Sequence, residues 1–147
     1  MHLVAPVMER LGTCVTDLAG RVAGALDLAR LQAQGAFPTA TPFAHVLRAG
    51  INARGDNDLA TGLHRQPLDR LVAVVLTIRS QDPTGARAIE RVDELLDEII
   101  GAVAGWGPEE GGEAFSLRRE RLLRAEAGAF VHELTFALPD QLRIAPS

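Results

Sequence analysis

The chain has 147 residues, a formal net charge of −4 and a pI of about 5.5, with 47% hydrophobic and 23% charged residues. These totals fit one domain, residues 1–147, able to bury a core; they argue against disorder and against the basic footprint of a DNA-binding domain. All fifteen basic residues are arginine, aromatics make up 4%, and tyrosine is absent.

The N-terminus, Met1-His2-Leu3-Val4-Ala5-Pro6, lacks a basic region followed by a long apolar stretch, so no signal peptide is expected. Val4, Val7, Met8 and Leu11 recur at helical spacing up to Gly12, which is expected to stop the helix. A second helix is expected after Asp17, with Val22, Leu26, Ala29 and Leu31 as its apolar stripe. Cys14 cannot form an internal disulfide and reads as a small buried hydrophobe.

Gly35–Pro42 reads as a loop, and Phe43–Arg48 as a short strand apolar on both faces. Ala49–Gly62 is polar and glycine-rich, without an apolar face, and is expected to be a long loop or arm. Asp69–Arg79 is β-branched and almost continuously apolar, as in a central strand covered on both faces. Asp82 and Pro83 suit the N-cap and first position of a helix. In that helix Ile89, Val92, Leu96, Ile99 and Val103 form the core stripe, widened by Leu95 and Ile100. Asp93–Glu98 is its solvated side, and Gly105 its C-terminal cap. Ser116–Glu126 and Ala129–Leu138, joined by Ala127-Gly128, read as a bulged hairpin. The order predicts an α+β fold: a mostly antiparallel sheet of about four to five strands, with helices packed on a face.

No phosphate-binding glycine loop is present, and without lysine neither Schiff-base chemistry nor a phosphate-loop lysine is available. His2, His45, His64 and His132 lack partners at metal-ligand spacing, so no catalytic, cofactor or metal site is expected. Arg118-Arg119-Glu120-Arg121 is too mixed in sign for nucleic acid and reads as a solvated hairpin loop or a protein–protein patch. Trp106 is expected to plug the helix end into the core, the alternative being an exposed anchor for a neighbouring subunit.

Thr41-Pro42-Phe43-Ala44-His45-Val46-Leu47 is followed by a Gly/Asn-rich loop, Ala60-Thr61-Gly62, Arg65-Gln66 and the apolar strand Leu71–Ile78. The amphipathic helix ends in Gly105-Trp106-Gly107-Pro108, and Arg121-Leu122-Leu123 precedes Ala127-Gly128. In order and spacing, Thr41–Leu138 resembles the tail terminator proteins of long, non-contractile-tailed phages. The last strand departs in carrying only two aromatics, Phe130 and Phe136. The resemblance implies a non-enzymatic virion protein of the tail, assembled in the host cytoplasm. It implies a homo-oligomeric ring, hexameric in that family, which caps the tail tube, ends elongation and forms the head–tail joining surface. Tail tube protein and head–tail connector proteins would be its partners. No cofactor, membrane or sequence-specific nucleic acid is implied, although DNA passes through such a ring.

The expected subunit or tube interface comprises Asn52, Arg54, Asp56, Asn57 and Asp58 on the arm, with Arg118, Arg119 and Arg121. Arg54 is expected to pair with an acid of another chain. Competing readings are another connector or tail-completion protein, a small ligand-binding or peptide-binding α+β module, and a hydrolase using His64 or His132 with a nearby acid.

Overall fold

A computed structural model describes residues 2–55, 64–80, 86–126 and 128–144, with the backbone alone at His64, Ala88 and Ile144. In chain order the elements are α1 (Val4–Cys14), a 3-10 turn (Thr16–Leu18), β1 (Val22–Ala23), α2 (Ala25–Ala33), β2 (Phe43–Ala53), β3 (His64–Arg79), α3 (Ala86–Val103), β4 (Ser116–Glu126) and β5 (Ala129–Ile144). The strands form one sheet in the order β1-β2-β3-β5-β4. Only β1–β2 is a parallel pair; the other three are antiparallel. The fold is α+β, as expected.

β3 explains its own apolar run. Every residue from Val72 to Ile78 is buried, because the strand lies mid-sheet with cover on both faces. Val72, Val74, Leu76 and Ile78 point to the front, into a core shared with Leu134 and Phe136 of β5, Val7 and Leu11 of α1, and Val92, Leu95, Leu96, Ile99 and Val103 of α3. The expected strand–helix packing is therefore present, except at Ile89. That residue is 57% exposed at the start of α3, and Leu95, fully buried, carries the stripe instead.

Helices cover both faces. α1 and α3 lie on the front. α2 lies on the back, where Leu28 and Leu31, with Phe37, face Leu47, Val75, Thr77 and Val131. The apolar stripe expected for the second helix is corrected: Val22 belongs to β1, Leu26 is 89% exposed, and the contacts to the sheet come from Leu28 and Leu31. A two-residue parallel strand is too short to show a period of its own. Asp17 sits in the 3-10 turn, not at a helix N-cap, and α1 runs through Gly12 to Cys14. Cys14 is exposed rather than buried. The proposed caps Asp82 and Pro83 lie outside the described residues.

Both central strands are longer than their apolar stretches. β2 continues through Ala49–Ala53, which the composition had suggested was loop, and pairs with Leu68–Leu71. Polarity misleads there because backbone pairing carries the strand past the packed core. The register shifts between Arg48 and Gly50, where Gly50 adopts φ 109, a conformation that favours glycine. β3 and β5 pair over sixteen positions, from His64↔Ile144 to Arg79↔Ala129. β4 has two bulges, between Leu117 and Arg119 and between Leu122 and Arg124.

Candidate interface on the back face and the open edge

The candidate site is the sheet's back face beyond the cover of α2, together with the β4 edge. Asn52, Asp69, Thr135 and Arg119 reach this face from β2, β3, β5 and β4 because they share one side of the pleat. With Leu71, Arg118 and Glu133 they line a shallow groove of about 320 Å³.

Asp69 is at its centre, with a side chain only 6% exposed. Arg118 donates to its Oδ2 at 2.9 Å. Arg118 is the extra residue of the first β4 bulge, and it crosses β5 where that strand presents the small residues Thr135 and Ala137. From the β2 side, Arg54 brings Nε to 3.1 Å from Oδ1, an ion pair without hydrogen-bond geometry. The backbone N–H of Arg54 donates to the carbonyl of Pro67 at 2.8 Å, fixing the base of the hairpin. One buried carboxylate therefore ties together residues from β2, β3 and β4. Its two guanidinium partners remain about half exposed.

Further along β4, Arg121 donates to Glu133 at 3.2 Å, and Arg124 pairs with Glu126. Arg124 also lies 5.0 Å from the ring centroid of Phe37, which Arg79 approaches at 5.5 Å. On the opposite face of the same strands, His132 pairs with Glu120.

The structure thus gathers Asn52, Arg54, Arg118 and Arg119 into one locality, with Arg121 two residues further along β4. Asp56, Asn57 and Asp58 lie outside the described residues. Arg118–Arg121 is strand rather than hairpin loop. Arg54 meets Asp69 of its own chain, the residue sequence reasoning missed. The available signal was an acid in an otherwise apolar strand, two positions before Leu71 and hence on the same face. Among the described residues no group of three acids, histidines or cysteines is placed to hold a metal ion, and no helix is long and apolar enough to cross a membrane.

Two other carboxylates fasten the sheet. Arg30 and the ring of His45 both hydrogen-bond Asp27, at 2.8 Å each, and hold it below its ordinary range. His45 is fully buried on the back face and donates from Nε2. On the front, Arg70 donates to Asp140 at 2.6 Å and lowers it likewise, with burial opposing. A carboxylate lowered in the folded state contributes stability that is complete above its unfolded value and lost as pH falls through the folded one. Urea midpoints should therefore drop as the pH is taken below about 4. The double variant Asp27→Asn/Asp140→Asn should be less stable at neutral pH and show a flatter acid slope. An unchanged slope would remove both pairs from the account.

The fold is thus a mixed sheet with helices on both faces, a long open edge at β4 and charged residues gathered beside it. A family model described as phage tail terminator protein matches residues 2–146, and the chain belongs to that family. No curated protein matches it. Membership gives a structural role in the phage tail, in association with other tail proteins.

Proposed function

We propose that this chain is the single-domain subunit of a ring, six-membered as the family resemblance implies. The ring caps the tail tube, ends its elongation and offers the surface to which the head connector joins, leaving a passage for DNA. The protein acts without catalysis, in the virion tail after assembly in the host cytoplasm.

The observation that carries the reading is a strand left open along its whole outer side. One edge of the sheet is made of β1, two residues long, and of residues 46–53 of β2, which have no second strand partner among the described residues. The other is β4, eleven residues long and exposed at every one. Isolated proteins usually cover or shorten such an edge, because its free N–H and C=O groups recruit other strands. The charge and the two bulges of β4 discourage indiscriminate strand pairing, so what this long exposed edge offers a specific partner is its row of arginine side chains. The interface residues on this reading are Asn52, Arg54, Asp56, Asn57, Asp58, Arg118, Arg119 and Arg121. Of these, Arg54 is held by Asp69 at the end of β2.

The test is tube growth. Purified tail tube protein polymerising on a tail initiator should give tubes of bounded length, each with added density at one end, when this protein is present. Raising the salt should weaken that capping, because the contacts are charged. Tubes that grow unchanged, with bare ends, would refute the proposal.

A further inference from the structure

We infer that each subunit seats the arginine row of β4 against the acidic face of α3 in the next copy of this chain, a contact that rests on the ring reading above. β4 places Arg118, Arg119, Arg121 and Arg124 within seven residues of a fully exposed strand. Three of these side chains are about half exposed despite a carboxylate partner. Arg119 has no ion pair among the described residues.

The complementary surface is on the solvent side of α3. Glu90, Asp93, Glu94, Asp97 and Glu98 are all exposed there, while Val92, Leu95, Leu96 and Ile99 turn into the core. Among the described residues only Glu94 of these five has a basic partner, Arg91, and Arg91 is shared with Asp17. Glu90–Glu94, Asp93–Asp97 and Glu94–Glu98 stand one helical turn apart, where like charges repel. A cationic partner relieves that repulsion, and guanidinium groups suit carboxylates because they bond in a bidentate fork. The reach matches over the first part of the row. Glu90 to Glu98 extends roughly 12 Å along a helix, and Arg118 to Arg121 roughly 10 Å along a strand.

The two surfaces lie on opposite sides of the molecule. The acids face outward from the helical layer on the front, and Arg119, Arg121 and Arg124 face the back. No two copies can join both pairs of surfaces at once, so the contact is head-to-tail. Such a contact closes a ring when the rotation allows it and otherwise extends as a filament.

Two variants test this. The first, Arg119→Glu/Arg121→Glu, makes β4 acidic. The second, Glu90→Arg/Asp93→Arg/Asp97→Arg, makes α3 basic. All five positions are exposed, so both variants should retain the wild-type circular dichroism. Arg121→Glu sets two carboxylates opposite each other at Glu133 and should lower the melting temperature slightly without unfolding the chain at the assay temperature. Each alone should self-associate at least about tenfold more weakly than wild type, by sedimentation and on tube ends. Mixed one to one they should assemble again, because β4 of the first then meets α3 of the second and the remaining pair is wild type. If wild type assembles and either variant alone assembles equally well, or the folded mixture stays monomeric, the contact is wrong and the ring reading stands. If wild type stays monomeric even at tube ends, both fall.

Discussion

Phe136→Ala is expected to lower the stability of the chain by about 3–5 kcal/mol, the usual range for emptying a buried aromatic site. Phe136 is the largest fully buried side chain. It sits on β5 opposite Val72 of β3 and Leu117 of β4, where the front of the sheet meets the helical layer. Backbone pairing on both sides holds β5 in place, so the sheet cannot close over the void. A domain of this size shifts by roughly 2–4 °C per kcal/mol, so the melting temperature should fall by roughly 10 °C. Ile89→Ala serves as the comparison and should move it little, since that side chain is mostly exposed. Equal shifts for the two would contradict the placement of α3.

Gly107→Ala is expected to destabilise by about 1–3 kcal/mol, because the added methyl cannot be housed. Gly107 follows Trp106 at the end of the helix. Trp106 stacks on Phe115 with ring centroids 6.0 Å apart, beneath the guanidinium of Arg10 at 5.2 Å. Two backbone bonds of 2.8 Å, Gly105 N–H to Phe115 carbonyl and Phe115 N–H to Trp106 carbonyl, clamp this segment to the lead-in of β4. A Cβ on Gly107 would run into the carbonyl group of Glu113, which is backbone and has no side-chain freedom with which to retreat. Gly101, exposed within α3, has open space at the same position. Gly101→Ala should stabilise by up to about 1 kcal/mol, the ordinary helical preference for alanine. The two alanine variants should therefore move the denaturation midpoint in opposite directions. If both stabilise, the clamp does not hold Gly107 against Glu113.

What could be read from the sequence follows how local each signal is. α3 and the apolar half of β3 were plain, because helical periodicity and a β-branched run are written in neighbouring residues. The hairpin of β4 and β5 was plain for the same reason, as was the plug at Trp106. β1 was not: Val22 and Ala23 become a strand only because Ala44 and His45 lie alongside. The extension of β2 through Ala49–Ala53 was hidden too, since pairing with Leu68–Leu71 stabilises a stretch whose composition resembles loop. In the candidate interface, the arginines of β4 and the arm residues Asn52 and Arg54 stood out by charge and context. Asp69 did not, because its role depends on Arg54 and Arg118 arriving from strands fifteen or more residues away in the chain.

The strand order carries a consequence for how the chain folds in time. β5 comes last among the strands in sequence yet lies between β3 and β4. Its partners on β3 are 50 to 80 positions away, from Arg79↔Ala129 to His64↔Ile144. Closing loops of that length before any ladder bond forms is slow compared with winding a helix. During synthesis, then, β3 stands beside β2 with its other flank bare, and β4 has no neighbour at all, until β5 is made and slots between them. The strand with the longest apolar run spends the whole of that interval unprotected. Overproduction at lower temperature, where emerging chains collide less often before the last strand arrives, should raise the yield of folded protein for a reason unconnected with its final stability.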